Sequence, residues 1–534
     1  MRVLSVQPVA PLSPCCYEYI MWDTPEQLDL EITGLAHDGR GVARLKGDGP
    51  VQGMAIFVSG GLPGQLVRVR MLRCRKSFWE GEAVAILRPA AEDVPPICPH
   101  HLQCGGCSLQ TMPYSRQLHW KRVLVVDALS RIGGFDRGQL ENLLDAVVPS
   151  PAVTRYRNKM EFAFAGGAGT AMTLGLRRRN GRDVLAVPGC VLMPPVAQAM
   201  VTKACQLAAE SGFAAYVPLS PRCGRGDNAR SRKGPARNSS GFWRFFILRR
   251  GLAGDRRRLR WWALCLTSPA SDRQRMFLRA MGQALLAAFP LLAGFIHEER
   301  GAQDGLAQGE QRSLVLGPDG DDDVDATRMM LPLSGRLFSL DVASFFQVNT
   351  GAAQCLARTA TGMLSPMKDG VRPAVLLDLY CGVGAPGLLV SPAYKAVLGL
   401  ELDARAVQFA RNNASAQTLR HCRYAACDVA AQLAELAQVT GMAPYAPLWP
   451  ALQQLHRVDV LLDPPRSGLA PQALAAVQRL APERILYISC NPSTLARDVK
   501  LLSATHTLEQ LAAVDLFPHT PHVETVVLMS SRSS

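Results

Sequence analysis

The sequence predicts three successive parts: an N-terminal β-barrel, a central α+β domain with a cysteine cluster, and a C-terminal doubly wound α/β domain. Short strands separated by glycine-rich turns dominate residues 26–88. Three cysteines lie close together just after this region, and from about residue 331 strand and helix patterns alternate to the C-terminus. Such alternation is typical of a parallel sheet covered by helices on both faces.

Length and charge limit the possible function. The 534 residues exceed the size of one domain. Their 58 Lys and Arg against 44 Asp and Glu give a net charge of +14. This excess favours a polyanionic partner such as RNA, although an arginine-rich composition alone is an alternative explanation. We expect a monomer.

Cellular location is predicted from what the chain lacks. No apolar run approaches the ~20 residues that span a bilayer, so we expect no membrane association. Residues 1–23 lack the pattern of a signal peptide and are expected to form a disordered leader, or Met21 is the true start. Fifteen cysteines without an export signal predict reduced thiols and a cytoplasmic protein.

Residues 24–89 are expected to form a small OB-like barrel, because five short strands fit into about sixty residues. Such barrels often bind oligonucleotides. Arg68 and Arg70 lie near Phe78 and Trp79, so basic charge and stacking surfaces would adjoin. The alternative is a solvated strand face with ordinary core aromatics.

The central domain, residues 90–330, begins with a C-x5-C-x2-C motif formed by Cys98, Cys104 and Cys107. Cys190 is the best candidate for a fourth thiol because it lies in a turn rather than in an apolar run. Four cysteines suit either zinc or an iron–sulfur cluster. His100 or His101 could replace one of the ligands.

Two stretches in this domain have the composition of insertions. Residues 220–241 are rich in Gly, Ser and Arg and are expected to be a disordered basic loop. Residues 301–326 are expected to form a second, acidic loop, in which no metal-ligand geometry is implied.

The C-terminal domain, residues 331–534, is expected to contain seven strands, at 374–379, 396–401, 422–426, 457–462, 485–489, 510–516 and 524–530. Asp463 and Cys490 follow the fourth and fifth of these strands. Because an open α/β sheet binds its ligands at the carboxyl ends of its strands, a carboxylate and a thiol are predicted to share one crevice.

The first strand of this domain leads into a glycine-containing turn, DLYCGVG at 378–384, where a ligand could approach the backbone closely. Glu401 ends the second strand and is placed to accept both ribose hydroxyls, and Asp428 follows the third strand, where it suits an adenine edge. Sites that bind NAD also combine a glycine turn with a carboxylate at the end of the second strand. The missing third glycine favours S-adenosylmethionine.

With these motifs in hand, the chain resembles the RNA uracil-5 methyltransferases, particularly the 23S rRNA subgroup that carries a TRAM domain and a [4Fe-4S] cluster. The glycine-rich GLAHDGRGVAR turn carries the resemblance to a TRAM domain. The most specific motifs are DPPRSG at 463–468, ILYISCNPST at 485–494 and LFPHTPHVETV at 516–526. The resemblance implies that residues 331–534 form a methyltransferase domain dependent on S-adenosylmethionine.

Uracil C5 becomes nucleophilic only after a thiolate adds at C6, which requires a cysteine, and we assign Cys490 to this role. A thiolate there would be favoured by the predicted start of a helix at Pro492. Glu524 matches the family's base, which removes the C5 proton. The target uridine would have to leave its stack.

The resemblance also implies ligands. Residues matching family contacts to cofactor or base are Gln347, Tyr380, Glu401 and Asp463. The cluster ligands carried over are Cys98, Cys104, Cys107 and Cys190, with [4Fe-4S] favoured over zinc and a role in structure or RNA holding rather than redox catalysis. The chain departs from the family at Ala385-Pro386, where relatives usually carry Thr or Asn and then an apolar residue.

The leading hypothesis is methylation of a uridine in 23S rRNA. One alternative is the same reaction on the T-loop uridine of tRNA. Another is a non-catalytic RNA-binding iron–sulfur protein.

Overall fold

The computed structural model describes residues 26–45, 52–167, 169–179, 181, 183–218, 241–254, 258–364, 375–436 and 458–532. The predicted leader at 1–23 and residues 220–240 of the predicted basic loop lie outside the described residues. The chain divides into two units, residues 1–95 with 111–113 and residues 96–110 with 114–534.

The first unit contains six strands: β1 (Gln27–Glu31), β2 (Gly34–Leu35), β3 (Gly41–Arg44), β4 (Ala55–Ser59), β5 (Leu66–Cys74) and β6 (Phe78–Arg88). Their order in the sheet is β1-β5-β6-β4-β3-β2. The Ile32 N–H donates to the Gln65 carbonyl and the Thr33 N–H to the Val42 carbonyl. Ile32 and Thr33, which connect the two edge strands β1 and β2, therefore bond toward β5 and β3, the strands next to those edges. The sheet thus closes into the predicted barrel, with one more strand than expected.

The aromatic and basic residues of the barrel differ from the RNA-stacking prediction. Trp79 is only 4% exposed and packs in the barrel core, so it offers no stacking face in this fold. Phe78 contacts Phe57 edge-on. The alternative of core aromatics is the correct one for Trp79, because alternation along β6 points this side chain inward.

The second unit begins with a nine-stranded sheet and its helices. The elements up to residue 341 are α1 (Tyr114–Arg131), α2 (Arg137–Leu143), β7 (Val147–Val148), β8 (Lys159–Gly167), β9 (Thr170–Arg177), β10 (Val184–Leu185), α3 (Pro195–Glu210), β11 (Trp243–Leu252), β12 (Leu259–Thr267), α4 (Asp272–Ala288), β13 (Leu292–Glu299), β14 (Gln311–Leu316), β15 (Arg328–Leu333) and β16 (Arg336–Asp341). The strand order is β10-β9-β8-β11-β12-β13-β14, with β15 paired to β11 and β16.

The acidic segment 301–326 is not a loop throughout, contrary to the prediction. Residues 311–316 form β14, which pairs antiparallel with β13. Two ion pairs hold flanking acidic residues, Asp304 to Arg300 and Asp322 to Arg279. The prediction failed because the short apolar run SLVL is surrounded by polar residues that dominate the composition.

The C-terminal part contains α5 (Thr350–Leu364), β17 (Val375–Leu379), α6 (Ala385–Val390), β18 (Ala396–Glu401), α7 (Ala404–Ala416), β19 (Cys422–Ala426), α8 (Val429–Leu436), β20 (Val458–Leu462), α9 (Pro471–Leu480), β21 (Arg484–Ser489), α10 (Pro492–Leu502), β22 (His506–Val514) and β23 (Glu524–Ser531). All seven predicted strands are present. With β7, which pairs with β22, they form an eight-stranded sheet in the order β19-β18-β17-β20-β21-β23-β22-β7. Side chains of β17 alternate between two buried cores, Leu376 facing one and Leu377 the other, as expected for a sheet covered on both faces.

The sheet is mixed rather than parallel. β17 to β21 pair in parallel, but β23 lies antiparallel to both β21 and β22. Only a short loop, residues 515–523, joins β22 to β23, and such a connection reverses the chain because a parallel crossover needs a dozen residues or more. The reversal brings the start of β23 to the edge where β20 and β21 end. No helix in the described ranges is long and apolar enough to cross a membrane.

Candidate active site

Cys490 and Glu524 meet at the carboxyl edge of the mixed sheet. β21 and β23 pair in a constant antiparallel register that sets Ser489 opposite Thr525. Extending it by one residue places Cys490 opposite Glu524. Glu524 is 3% exposed and Cys490 is half-buried. The predicted thiol and the predicted base are therefore brought together.

Asp463 joins this pair from β20. Its backbone N–H donates to the Leu379 carbonyl at 3.4 Å, so it also borders the end of β17. The charge of Asp463 raises the pKa values of both Cys490 and Glu524, which shows that the three groups are neighbours. Burial raises the pKa of Asp463 itself to about 7.

The protonation state of the thiol differs from the prediction. Cys490 immediately precedes Asn491, the N-cap of α10, as expected from Pro492. However, burial and the neighbouring Glu524 raise the pKa of Cys490 to about 11, and Arg466 opposes them only in part. The helix start and the cation do not yield a thiolate in the free protein, because desolvation outweighs them.

Glu524 is also shifted. Burial first, and then the charge of Asp463, raise its pKa to about 8, while Arg466 acts in the opposite direction. A carboxylate with a pKa near neutrality suits a general base.

Arg466 was missed in the sequence. Its carbonyl accepts hydrogen bonds from Asn491 Nδ2 at 3.1 Å and Thr494 Oγ1 at 3.2 Å, so the helix that follows Cys490 holds the backbone of Arg466. Its position as the last residue of DPPR was the available signal.

The glycine turn after β17 has the shape of a ligand cradle. Tyr380, Gly382 and Gly384 all have positive φ angles, and a Cβ atom on Gly382 would meet no atom within 4 Å. Gly384 caps α6, with Pro386 in the first turn, so the departure at 385–386 is sterically tolerated. The open backbone at this helix start fits a bound S-adenosylmethionine.

Three predicted cofactor residues surround this turn. Glu401 Oε2 accepts from the Gly382 N–H at 3.1 Å, and Oε1 accepts from the Leu402 and Asp403 N–H groups. Asp428 caps α8 by accepting from the Ala431 N–H at 2.8 Å. Burial, with the charges of Asp428 and Glu401 among the smaller causes, raises the pKa of Tyr380 to about 12, so the three groups are neighbours.

Gln347 lies on the loop between β16 and α5. Its carbonyl accepts from Asn158 Nδ2 at 3.1 Å, and its side chain is half-buried. The fully buried Arg249 donates from Nη1 to the carbonyls of Val342 and Ser344 and thereby fixes this loop. Sequence patterns gave no sign of Arg249, because burial of an arginine is decided by tertiary packing.

The four predicted cluster cysteines are neighbours as well. Cys98, Cys104 and Cys107 are buried, and Cys190 packs with Cys107 against Tyr156. Burial is the main cause of the raised pKa values of Cys104, Cys107 and Cys190, and each also responds to charge on at least one other thiol of the set. Yet within the described residues no group of three or more His, Cys, Asp or Glu side chains is arranged to hold a metal ion.

Comparisons with known proteins agree with this architecture. A family model described as tRNA (Uracil-5-)-methyltransferase matches residues 323–532, and a TRAM domain model matches residues 26–84. A Nitratidesulfovibrio vulgaris protein described as an uncharacterized RNA methyltransferase is 35% identical, over 95% of this chain and 96% of its own. A protein of Gloeobacter violaceus with the same description is 28% identical, over 94% and 96%.

Among solved structures, the Pyrococcus abyssi tRNA (uracil-54, C5)-methyltransferase in complex with S-adenosyl-L-homocysteine matches with a TM-score of 0.63. The match covers 94% of this chain and 100% of that chain at 22% identity, and it shows the shared fold. The family models and the 35% identical relative identify the chain as a member of the S-adenosylmethionine-dependent RNA uracil-5 methyltransferase family, with an N-terminal TRAM domain.

Proposed function

We propose that this protein methylates C5 of a specific uridine in RNA through a covalent adduct between Cys490 and uracil C6, with Glu524 as the base. The observation that carries the proposal is the register that sets Cys490 opposite Glu524, with Asp463 beside both. A thiol, a carboxylate of raised pKa and a second carboxylate at one sheet edge are the groups that this chemistry requires.

The reaction begins when Cys490 gives its proton to solvent and its sulfur adds to C6, which places the electron pair of the C5–C6 double bond on C5 and O4. S-adenosylmethionine would supply an electrophilic methyl group, whose bond to the sulfonium sulfur would break as C5 bonds to the methyl carbon, with S-adenosylhomocysteine as the leaving product. Glu524 then accepts the C5 proton, the C5–C6 double bond re-forms, and the Cys490 thiolate leaves. Asp463 is proposed to accept a hydrogen bond from uracil N3–H.

The raised pKa of Cys490, about 11, implies that the thiol is protonated in the free enzyme at neutral pH. This suits a nucleophile that should not react with other electrophiles in the free enzyme. Arg466 lowers the pKa of the thiol and is the neighbouring cation available to stabilise the thiolate when it forms.

We assign cofactor binding to Tyr380, Glu401, Asp428 and Asp463, and Gln347 to the methionine end of the cofactor and the target base. Glu401 would accept from the ribose hydroxyls while it keeps its bonds to the turn. Asp428 would face the adenine edge. The neighbourhood of Tyr380, Glu401 and Asp428 around the open backbone of Gly382 supports this assignment.

The four cysteines are proposed to hold a [4Fe-4S] cluster. Four cysteine thiolates suit either zinc or a [4Fe-4S] cluster, and the family resemblance favours the cluster. Four reduced, largely buried thiols that affect one another electrostatically fit such a group chemically. The cluster would hold the segment at 98–110 in place.

The target is proposed to be 23S rRNA. The P. abyssi protein that shares this fold is a tRNA (uracil-54, C5)-methyltransferase, so the T-loop uridine of tRNA is the second candidate. The TRAM domain and the four cysteines favour rRNA through the family resemblance.

The test uses 5-fluorouridine, which cannot lose its C5 substituent as a proton. Full-length protein with S-adenosylmethionine should form an adduct with 5-fluorouridine-substituted RNA that survives denaturing electrophoresis. Parallel reactions with 23S rRNA fragments and with tRNA identify the target by which RNA is trapped. Absence of adduct from Cys490→Ala protein maps the bond, and normal RNA binding without adduct in the wild type would favour the non-catalytic alternative.

A further inference from the structure

The loop at 515–523, here called the base loop, ends where Glu524 begins β23, and it has no regular structure of its own. Its position therefore depends on contacts with other segments. One comes from α1: Lys121 Nζ donates to Asp515 Oδ1 at 2.5 Å and to the Phe517 carbonyl at 3.1 Å. The side chains of Lys121 and Asp515 are both 0% exposed.

A second contact comes from the preceding turn of α1. Gln117 Oε1 accepts from the His519 N–H at 2.8 Å, and Gln117 Nε2 lies 3.3 Å from His519 Nδ1. His519 has a φ of 68°, a left-handed conformation that costs free energy for a residue with a Cβ. Such a conformation persists only where surrounding bonds fix it.

A third set of contacts comes from the cysteine-containing segment at 98–110 and from Tyr156. The Leu109 N–H donates to the His519 carbonyl at 3.0 Å, and the Tyr156 hydroxyl donates to the Pro518 carbonyl at 3.2 Å. Tyr156 packs against Cys107. The base loop is thus bonded to α1 and to the segment that carries the cysteines.

We propose that Gln117, Lys121 and Asp515 are positioning residues that hold the base loop so that Glu524 reaches the C5 proton. A buried ion pair is weak evidence for stability because desolvation opposes the attraction, so its value here lies in fixing one geometry. This inference rests on the proposed function, in which Glu524 acts only after methyl transfer. Loss of the contacts should therefore slow adduct breakdown more than methyl transfer.

The experiment compares three full-length variants with the wild type. Gln117→Leu removes the bonds to His519, and the double variant Lys121→Met with Asp515→Leu removes the ion pair without leaving one charge buried. Thr267→Val is the matched control, because it breaks a buried bond of 2.8 Å to His297 in the central sheet. Single-turnover reactions with unmodified RNA and radiolabelled S-adenosylmethionine measure methyl transfer and release of methylated RNA separately.

We expect release to slow by about tenfold or more in Gln117→Leu and in the double variant, with methyl transfer changed by less than about threefold. Methylated RNA–protein adduct should accumulate on denaturing gels. Hydrogen exchange of the amides at 515–523 should accelerate in both variants, and neither effect should occur in Thr267→Val. If one variant fails to fold, the other and the exchange measurement still decide.

Equal losses in transfer and release, or adduct accumulation in the control, would overturn the positioning role. Failure of the proposed function looks different, because the wild type would then form no 5-fluorouridine adduct and Glu524→Gln would accumulate none either. This inference alone is overturned if the wild type forms the 5-fluorouridine adduct but Gln117→Leu and the double variant release methylated RNA at the wild-type rate.

Discussion

Cys490 lies opposite Glu524 because β23 runs antiparallel to β21 in a register that pairs Ser489 with Thr525. A nucleophile that must later leave and a base that triggers its departure thus sit on neighbouring strands. In a purely parallel sheet, the first residue of the last strand would lie at the opposite edge.

The first prediction separates the two roles. Glu524→Gln should lower turnover by about 10²–10⁴-fold, because proton removal loses its base, while covalent adduct with unmodified RNA accumulates. Cys490→Ala should abolish both turnover and adduct. Gel analysis with labelled RNA checks this, and a Glu524→Gln protein that is inactive without adduct would contradict the assignment.

The second prediction concerns pH and stability. The pKa of Glu524 is raised to about 8 from an ordinary 4.5, so between these values the folded chain keeps a proton that the unfolded chain releases. This contribution to stability is present at low pH and is lost as pH rises through about 8. Glu524→Gln lacks this titration. The Tm of the variant minus the Tm of the wild type should therefore increase from pH 5 to pH 8.5. A constant Tm difference across a thermal-unfolding pH series would refute it.

The third prediction uses Asp463. Its charge raises the pKa of Glu524, so Asp463→Asn should move the pH midpoint of adduct release to lower values. Loss of a charge-assisted hydrogen bond to the substrate should also lower kcat/KM about 10–100-fold. Single-turnover pH profiles measure the midpoint. An unchanged midpoint with reduced kcat/KM would restrict Asp463 to substrate binding.

The fourth prediction tests the four cysteines. Anaerobically purified protein should contain about four iron atoms per chain and absorb broadly near ~400 nm. Cys107→Ser should lose both iron and absorbance, whereas Cys205→Ser, outside the set, should keep them. Colourless protein with stoichiometric zinc would replace the cluster assignment.

The fifth prediction concerns the cofactor. Glu401→Gln should weaken S-adenosylmethionine binding about 10–100-fold, because the carboxylate loses its charge toward the ribose and toward the turn. Isothermal titration calorimetry provides the measurement. The control is Asp272→Asn, which also removes one negative charge but at an exposed position on α4.

Sequence patterns predicted the strands of the C-terminal domain to within a few residues, because buried strands are nearly continuous apolar runs. They did not predict the reversal of β23, since a strand's residue pattern carries no direction. They also missed the raised pKa of Cys490 and the burial of Lys121 and Arg249. These depend on how far a group is removed from water, which is decided by packing between segments distant in the chain.

Four arginines of the barrel already have acidic partners. Arg68 pairs with Asp29 at 2.8 Å, Arg70 with Glu82 at 2.7 Å, and Arg73 and Arg75 both approach Glu80 at 3.8 Å. A phosphate that binds here competes with a tethered carboxylate rather than with loosely held solvent anions. RNA affinity of this surface should therefore depend on ionic strength less steeply than its number of arginines implies.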